Sequence, residues 1–235
     1  MGDLLVLWDV DYTLLNAAGL GNRLYQAVFK DMFGRELEVV AAKAGRTDRA
    51  ILADTLALAG VAEPRAQVDA FMTALGQLAA AMDGSARPAA GVRPEVRALP
   101  GAAEAITALA AAGARQSVLT GNIRALAALK LGAAGLGEFL DLDVGAYGDV
   151  DEERAALVPV ARRAARAAYG TDFGGPLTVL VGDTPLDVAA ALASGARAVG
   201  VATGSFTAAE LAEAGAHVVL PDLTDAALVL AAVGG

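Results

Sequence analysis

The sequence predicts an α/β fold: a doubly wound, mostly parallel Rossmann-like sheet with a helical domain inserted near its amino terminus. Three observations predict it. Short runs rich in valine or leucine stop abruptly at polar or glycine residues, helical stretches alternate with them, and the alternation is interrupted from about residue 16 to residue 97 by sequence with no convincing strand. Buried parallel strands read as continuous apolar runs, and strands that alternate with helices specify a sheet covered on both faces.

The first strand, in "LVLWDVDYTLL", runs into Asp9, Asp11 and Thr13. Helices follow near Gly21–Phe33, Thr47–Ala59 and Pro64–Met82, and they define an inserted helical domain, residues 16–97. Its edges, "LLNAAG" and the Pro/Gly-bearing "DGSARPAAGVRPEVRALPG", have linker composition. The α/β core, residues 1–15 and 98–235, resumes with a helix over Ala102–Ala112, a strand ending at Thr120 and helices over Ile123–Leu131 and Glu152–Tyr169. "LTVLVGD" is then a strand ending at Asp183, Pro185–Ser194 a helix, "ARAVGVATG" a strand, Ala208–Ala214 a helix and "AHVVLPD" a strand. Gly113 and Gly195 close their helices as left-handed caps.

Composition excludes several functions. Cysteine is absent, so thiol chemistry and cysteine-based metal sites are ruled out. No apolar run approaches the roughly 20 residues that span a bilayer, and the opening residues lack the basic flank and cleavage site of a signal peptide. We expect a soluble, cytoplasmic protein, a monomer or homodimer that acts on no membrane. A net charge of −9 disfavours general nucleic-acid binding, although a metal or a few local cations can still prepare one cleft for a small anion.

Polar residues gather where an open parallel sheet places its ligands, at the carboxyl ends of the strands. One strand ends in Asp9, Asp11 and Thr13, another in Thr120, Gly121 and Asn122, and a third in Gly182 and Asp183, with Asp187 opening the next helix. Several aspartates in one cleft repel each other unless a cation lies among them, and an all-oxygen ligand set suits Mg2+. One carboxylate then remains free to attack phosphorus as an aspartyl nucleophile, and a neighbouring carboxyl can move the proton. Asp9 and Asp11 have the spacing for these two tasks.

"DVDYTL" resembles the Asp-x-Asp-x-Thr signature of the haloacid dehalogenase superfamily of phosphohydrolases. "VLTGN" is similar to its second motif and "VGDTPLDVAAALASGARAVGVATG" to its fourth, in the same order and spacing. The inserted helices lie where the phosphoglycolate-phosphatase-like branch carries its cap. The resemblance implies Asp9 as nucleophile and Asp11 as general acid/base, with the Asp11 carbonyl also on magnesium. It further implies phosphoryl binding by Thr120, Gly121 and Asn122 with Thr13 nearby, and Mg2+ held by Asp9 and Asp183, with Asp187 orienting its water shell or the pocket cation. The family's basic third motif has no Lys-Pro match. Arg154 lies where that cation belongs, whereas Lys130 falls early in the chain, within the helix after the second motif. In "GRTDRAI", Arg46 and Thr47 are candidates for contacting the leaving group, weighed against simple capping by Thr47. Tyr12 stands where the family usually has glycine and is expected to crowd the approach of the cap. Trp8 reads as core packing, and His217 has no partner that points to catalysis.

The expected activity is a Mg2+-dependent phosphatase for a small phosphomonoester, phosphoglycolate-like. The alternatives are a β-phosphoglucomutase-like phosphomutase, a haloacid dehalogenase, or a binding protein without turnover.

Overall fold

The computed structural model describes residues 4–82 and 95–235. Most of the stretch read as the second linker lies outside these residues. Five parallel strands form the central sheet: β1 (Leu5–Trp8), β4 (Arg115–Val118), β5 (Thr178–Gly182), β6 (Arg197–Val201) and β7 (Val218–Leu220). Their order is β4-β1-β5-β6-β7, which puts the first strand at the centre, between β4 and β5.

Alternation along β1 feeds two separate cores. Leu5 and Leu7 point to one face, packing with Leu157, Val158 and Ala161 of α6 (Leu157–Tyr169) and with Val188 and Ala191 of α7 (Pro185–Ala193). Val6 and Trp8 point to the other, against Ile106 and Leu109 of α4 (Ala102–Ala111), residues of α5 (Arg124–Ala134) and Val229 and Val233 of α9 (Ala226–Gly234). Both faces are therefore covered, as a buried parallel sheet requires. Trp8 is fully buried, and its indole N–H donates to Gln116 Oε1 at 3.0 Å, which satisfies the one polar atom that the ring carries inward.

The helix α8 (Ala208–Glu213) links β6 to β7. His217, beside it, accepts the Ala198 amide at Nδ1 (3.0 Å), a structural role. Gly113 and Gly195 have φ of +86° and +66°, so both adopt the left-handed conformation that their positions after helices require.

Helices α1 (Leu20–Phe33), α2 (Asp48–Leu58) and α3 (Pro64–Met82) form the inserted layer, close to the sequence reading. Tyr25, Phe29 and Phe71 are buried among them, and α3 also packs against α5. Two short strands, β2 (Leu15–Asn16) and β3 (Arg97–Ala98), pair antiparallel where the chain leaves and re-enters the sheet domain. They and α9 are absent from the sequence reading. Two-residue strands carry no periodicity, and the all-apolar α9 segment shows no amphipathic stripe. The helix expected over Glu152–Tyr169 starts later, at Leu157, after a single 3-10 turn at Arg154–Ala156.

Candidate active site

The site is built where β1 stops. The Asp9 amide still bonds the Val181 carbonyl (2.8 Å), so Asp9 is aimed by the strand, but the chain then turns back so that the Leu14 and Leu15 amides both reach the Val10 carbonyl. Tyr12 sits inside this turn with φ +62°. Only glycine occupies that region without penalty, and a tyrosine there costs about 1–3 kcal/mol. The turn itself thus accounts for a glycine in the pattern that this sequence resembles. The Tyr12 ring is half exposed on the pocket rim, and its carbonyl accepts the Thr203 hydroxyl at 2.6 Å. We expect Tyr12→Gly to fold with stability unchanged or raised by up to about 1 kcal/mol, because relief of the strain offsets the greater freedom of the unfolded chain. A loss of several degrees in thermal melting would contradict this.

The strand order sets Thr120, Asp9 and Asp183 side by side at the ends of β4, β1 and β5. Carboxylate oxygens of Asp9, Asp183 and Asp187 lie within 4.8 Å of one another, and all three residues are buried. The Thr13 hydroxyl lies between two of them, 3.4 Å from Asp9 Oδ2 and 3.2 Å from Asp183 Oδ1. Asp187 also closes a capping box on α7 with Thr184, so its helix-capping and cluster roles coincide. The acids are cradled tightly. A Cβ on Gly182 would come within 2.3 Å of Asp187 Cγ, and one on Gly204 within 1.8 Å of Asp183 Oδ2.

Arg154 enters this cluster. Its Nη2 lies 2.6 Å from Asp9 Oδ1 and 2.6 Å from Asp187 Oδ1 and donates to the Leu119 carbonyl at 3.1 Å, while Glu152 turns outward to pair with Arg65. One guanidinium does not balance three carboxylates. Burial drives Asp9 up to about 7 against the pull of Arg154, with Asp187 and Asp11 adding to the rise. Asp183 is pushed up to about 8 by burial and by the charges of Asp9 and Asp187. A hard cation at the cluster removes the repulsion, and the all-oxygen donor set fits Mg2+.

Asp11 belongs to a second group. Its Oδ2 accepts from Lys130 Nζ (2.6 Å) and from Asn122 Nδ2 (2.7 Å), and Lys130 also donates to Asn122 Oδ1 (2.6 Å). Burial pushes Asp11 upward, but the Lys130 ammonium and these hydrogen bonds prevail and hold it below the usual carboxylate range. The sequence reading set Lys130 aside as too early in the chain. The structure brings both cations in: Lys130 lies in the second turn of α5 on its buried face, and its long side chain reaches back to the strand ends.

The opposite wall of the pocket, a cavity of about 170 Å³, is supplied by the inserted helices and the loop before α2. Arg46 lines it, although its guanidinium is drawn to Asp54 (2.6 Å). Thr47 does not. Its buried hydroxyl accepts the Ala50 amide and donates to the Glu152 carbonyl (3.1 Å), so the capping role holds and contact with a leaving group does not follow. Lys43 and Asp48, neither singled out from sequence, also line the cavity. Lys43 stacks over the Tyr25 ring (4.1 Å to the centroid), and burial lowers it to about 8 in spite of Asp48. Their only signal in the sequence is position, since each flanks the polar "GRT" that opens α2.

The haloacid dehalogenase-like hydrolase family model matches residues 6–192. No curated protein sequence matches the chain. Among solved structures, a hydrolase from Pseudomonas syringae is similar over 97% of this chain and 97% of its own, with a TM-score of 0.65 and 19% identity. A HAD family hydrolase from Deinococcus radiodurans R1, with bound phosphate and sodium, aligns over 99% and 96% (TM-score 0.56, 22% identity). CbbY from Rhodobacter sphaeroides, in complex with phosphate, aligns over 94% and 95% (TM-score 0.58, 24% identity).

Proposed function

Because the chain belongs to the haloacid dehalogenase-like hydrolase family, we propose that it is a Mg2+-dependent phosphatase that cleaves a small phosphomonoester through an aspartyl-phosphate, with α1 to α3 (residues 16–97) as its cap. The observation that carries this reading is the buried trio Asp9, Asp183 and Asp187, short of positive charge, beside the Thr120–Asn122 loop. Magnesium held by Asp9, Asp183 and the Asp11 carbonyl, with Asp187 behind them, would neutralise these carboxylates and the phosphoryl oxygens.

Asp9 forms a bond to phosphorus as the ester P–O bond breaks, and Asp11 passes a proton to the departing oxygen. Lys130 keeps the resting Asp11 ionised, so the first proton enters with a monoanionic ester. Asp11 then takes a proton from water as the water oxygen bonds to phosphorus and the bond to Asp9 breaks. Asp11 then releases that proton to solvent as inorganic phosphate departs, which restores its ionised resting form. Arg154, Thr120 and the loop amides hold the phosphoryl group throughout. The small cavity, with Lys43 and Arg46 on the cap wall, favours a compact anionic leaving group, phosphoglycolate-like.

A panel of small phosphomonoesters, assayed with Mg2+ and after chelation, tests the reading. We expect free phosphate from the compact acids and none after chelation. An isomerised sugar phosphate without free phosphate would make the protein a mutase, and metal-independent chloride release a dehalogenase.

A further inference from the structure

The "GRTDR" segment that opens α2 is not exhausted by helix capping, because Thr47 already caps that helix. Asp48 follows it, buried, and forms no salt bridge among the described residues. Its bonds leave the helix. Asp48 Oδ2 accepts the Ile123 amide (2.8 Å), its own amide donates to the Gly121 carbonyl (2.6 Å), and Oδ1 accepts the Tyr25 hydroxyl (2.6 Å). Gly121 and Ile123 flank Asn122 in the loop assigned above to the phosphoryl group. The contact is close enough to dictate residue type. A Cβ on Gly121 would lie 1.9 Å from the Arg46 carbonyl, and one on Gly148 would lie 1.8 Å from the Gly121 carbonyl. The next residue continues the seam, with the Arg49 amide on the Gly148 carbonyl (3.0 Å) and its Nε on the Asp149 carbonyl (3.0 Å).

We propose that Asp48 is a positioning residue for the phosphate-binding loop: from the cap, it fixes the Gly121 carbonyl and the Ile123 amide, so that the loop takes its binding geometry only while the cap is seated. The core side supplies the rest of the clamp, through Thr120 N on the Ala146 carbonyl (3.1 Å) and Gly148 N on the Asn122 carbonyl (2.9 Å). The loop is thus gripped from two sides, and one grip belongs to the cap. Tyr25 aims the carboxylate, and its hydroxyl has no other hydrogen bond among the described residues, while its ring carries the Lys43 ammonium. A buried carboxylate with two donors and no salt-bridge partner among the described residues, on which Lys130 and Lys43 act only from a distance, is costly to keep for layer packing alone. The proposal rests on the phosphatase reading only for the identity of the anion.

The test compares the full chain with Asp48→Asn, Asp48→Ala and Tyr25→Phe, using p-nitrophenyl phosphate turnover with Mg2+, inhibition by inorganic phosphate, and amide hydrogen exchange over residues 120–123. For Asp48→Ala we expect phosphate affinity and kcat to fall about tenfold or more, with faster exchange in the loop. Asp48→Asn, which keeps one acceptor oxygen, should fall between it and the wild type. Tyr25→Phe should shift the same constants less, with melting near that of the wild type. The Mg2+ activation constant should stay within about twofold, since the side-chain hydrogen bonds of Asp48 go to Tyr25 and Ile123 and not to the acid trio. Phosphate affinity and loop exchange within about twofold of wild type would overturn the proposal, as would phosphate and Mg2+ constants that weaken in parallel. Should the wild type turn over no ester, the phosphatase reading falls. Phosphate binding by calorimetry and loop exchange would still decide the role of Asp48.

Discussion

Asp9→Asn is expected to abolish phosphate release, by about three orders of magnitude or more in kcat. The amide is nearly isosteric and can keep the Thr13 contact, but it offers phosphorus no anionic oxygen. The fold should not suffer. Asp9 is one of three buried carboxylates that burial and mutual repulsion destabilise, so its neutralisation should leave the metal-free protein as stable as wild type or more so at neutral pH. The measurement is steady-state release of inorganic phosphate with Mg2+, alongside thermal melting of both proteins. Activity retained in a folded Asp9→Asn protein would remove the nucleophile from the mechanism, whatever the substrate.

The second large effect is on stability. Without metal, the protein is expected to become less stable as pH rises from about 4 to about 8. Asp9 and Asp183 hold their protons up to about 7 and about 8 when folded, against an ordinary value of 3.8. Across that window the folded form binds protons that the unfolded form has lost, so each rise in pH favours unfolding. The stabilisation is complete below the ordinary value and gone above the folded one. Mg2+ should reverse the loss by occupying the ionised cluster. Millimolar Mg2+ should raise Tm by several degrees at about pH 8 and barely at about pH 5, with proton release on binding near neutral pH, visible by calorimetry in buffers of different ionisation heat. An equal Mg2+ effect at both pH values would show that the cluster is not where the metal acts.

The parts that were legible in the sequence share one physical property, which is that they lie at the ends of buried parallel strands. Such strands announce themselves as apolar runs, and the polar residues that stop them face the same edge of the sheet. Asp9, Thr13, Thr120 and Asp183 could be placed that way, whereas Arg154 is placed only through the resemblance, as the stand-in for the family's basic third motif. Lys130 could be placed by neither route. It reaches Asp11 from the second turn of a helix, and only packing decides which face of α5 turns inward. Asp48 was out of reach for a stronger reason, since its loop partner sits in another layer, 75 residues along the chain at Ile123, and Tyr25, bonded to Asp48 from the neighbouring helix, gains its role only through that contact. Thr47 is a case that the sequence leaves open between capping and binding, because both readings use the same polar cluster, and its hydroxyl is committed to Ala50 and Glu152.

The paired strands β2 and β3 carry a mechanical consequence. Both crossings between the sheet and the three helices pass through one two-residue ladder, Leu15 with Ala98 and Asn16 with Arg97. The two linking segments are tied to each other there by backbone pairing, so a displacement of one is shared by the other. The ladder is anchored a few residues from Asp11: the Leu14 carbonyl holds the Leu99 amide (2.9 Å), and Leu15 bridges back to Asp11 itself. A displacement of these segments would therefore be felt by the turn that carries Asp11, so the placing of the helices and the aim of the proposed proton carrier are mechanically linked.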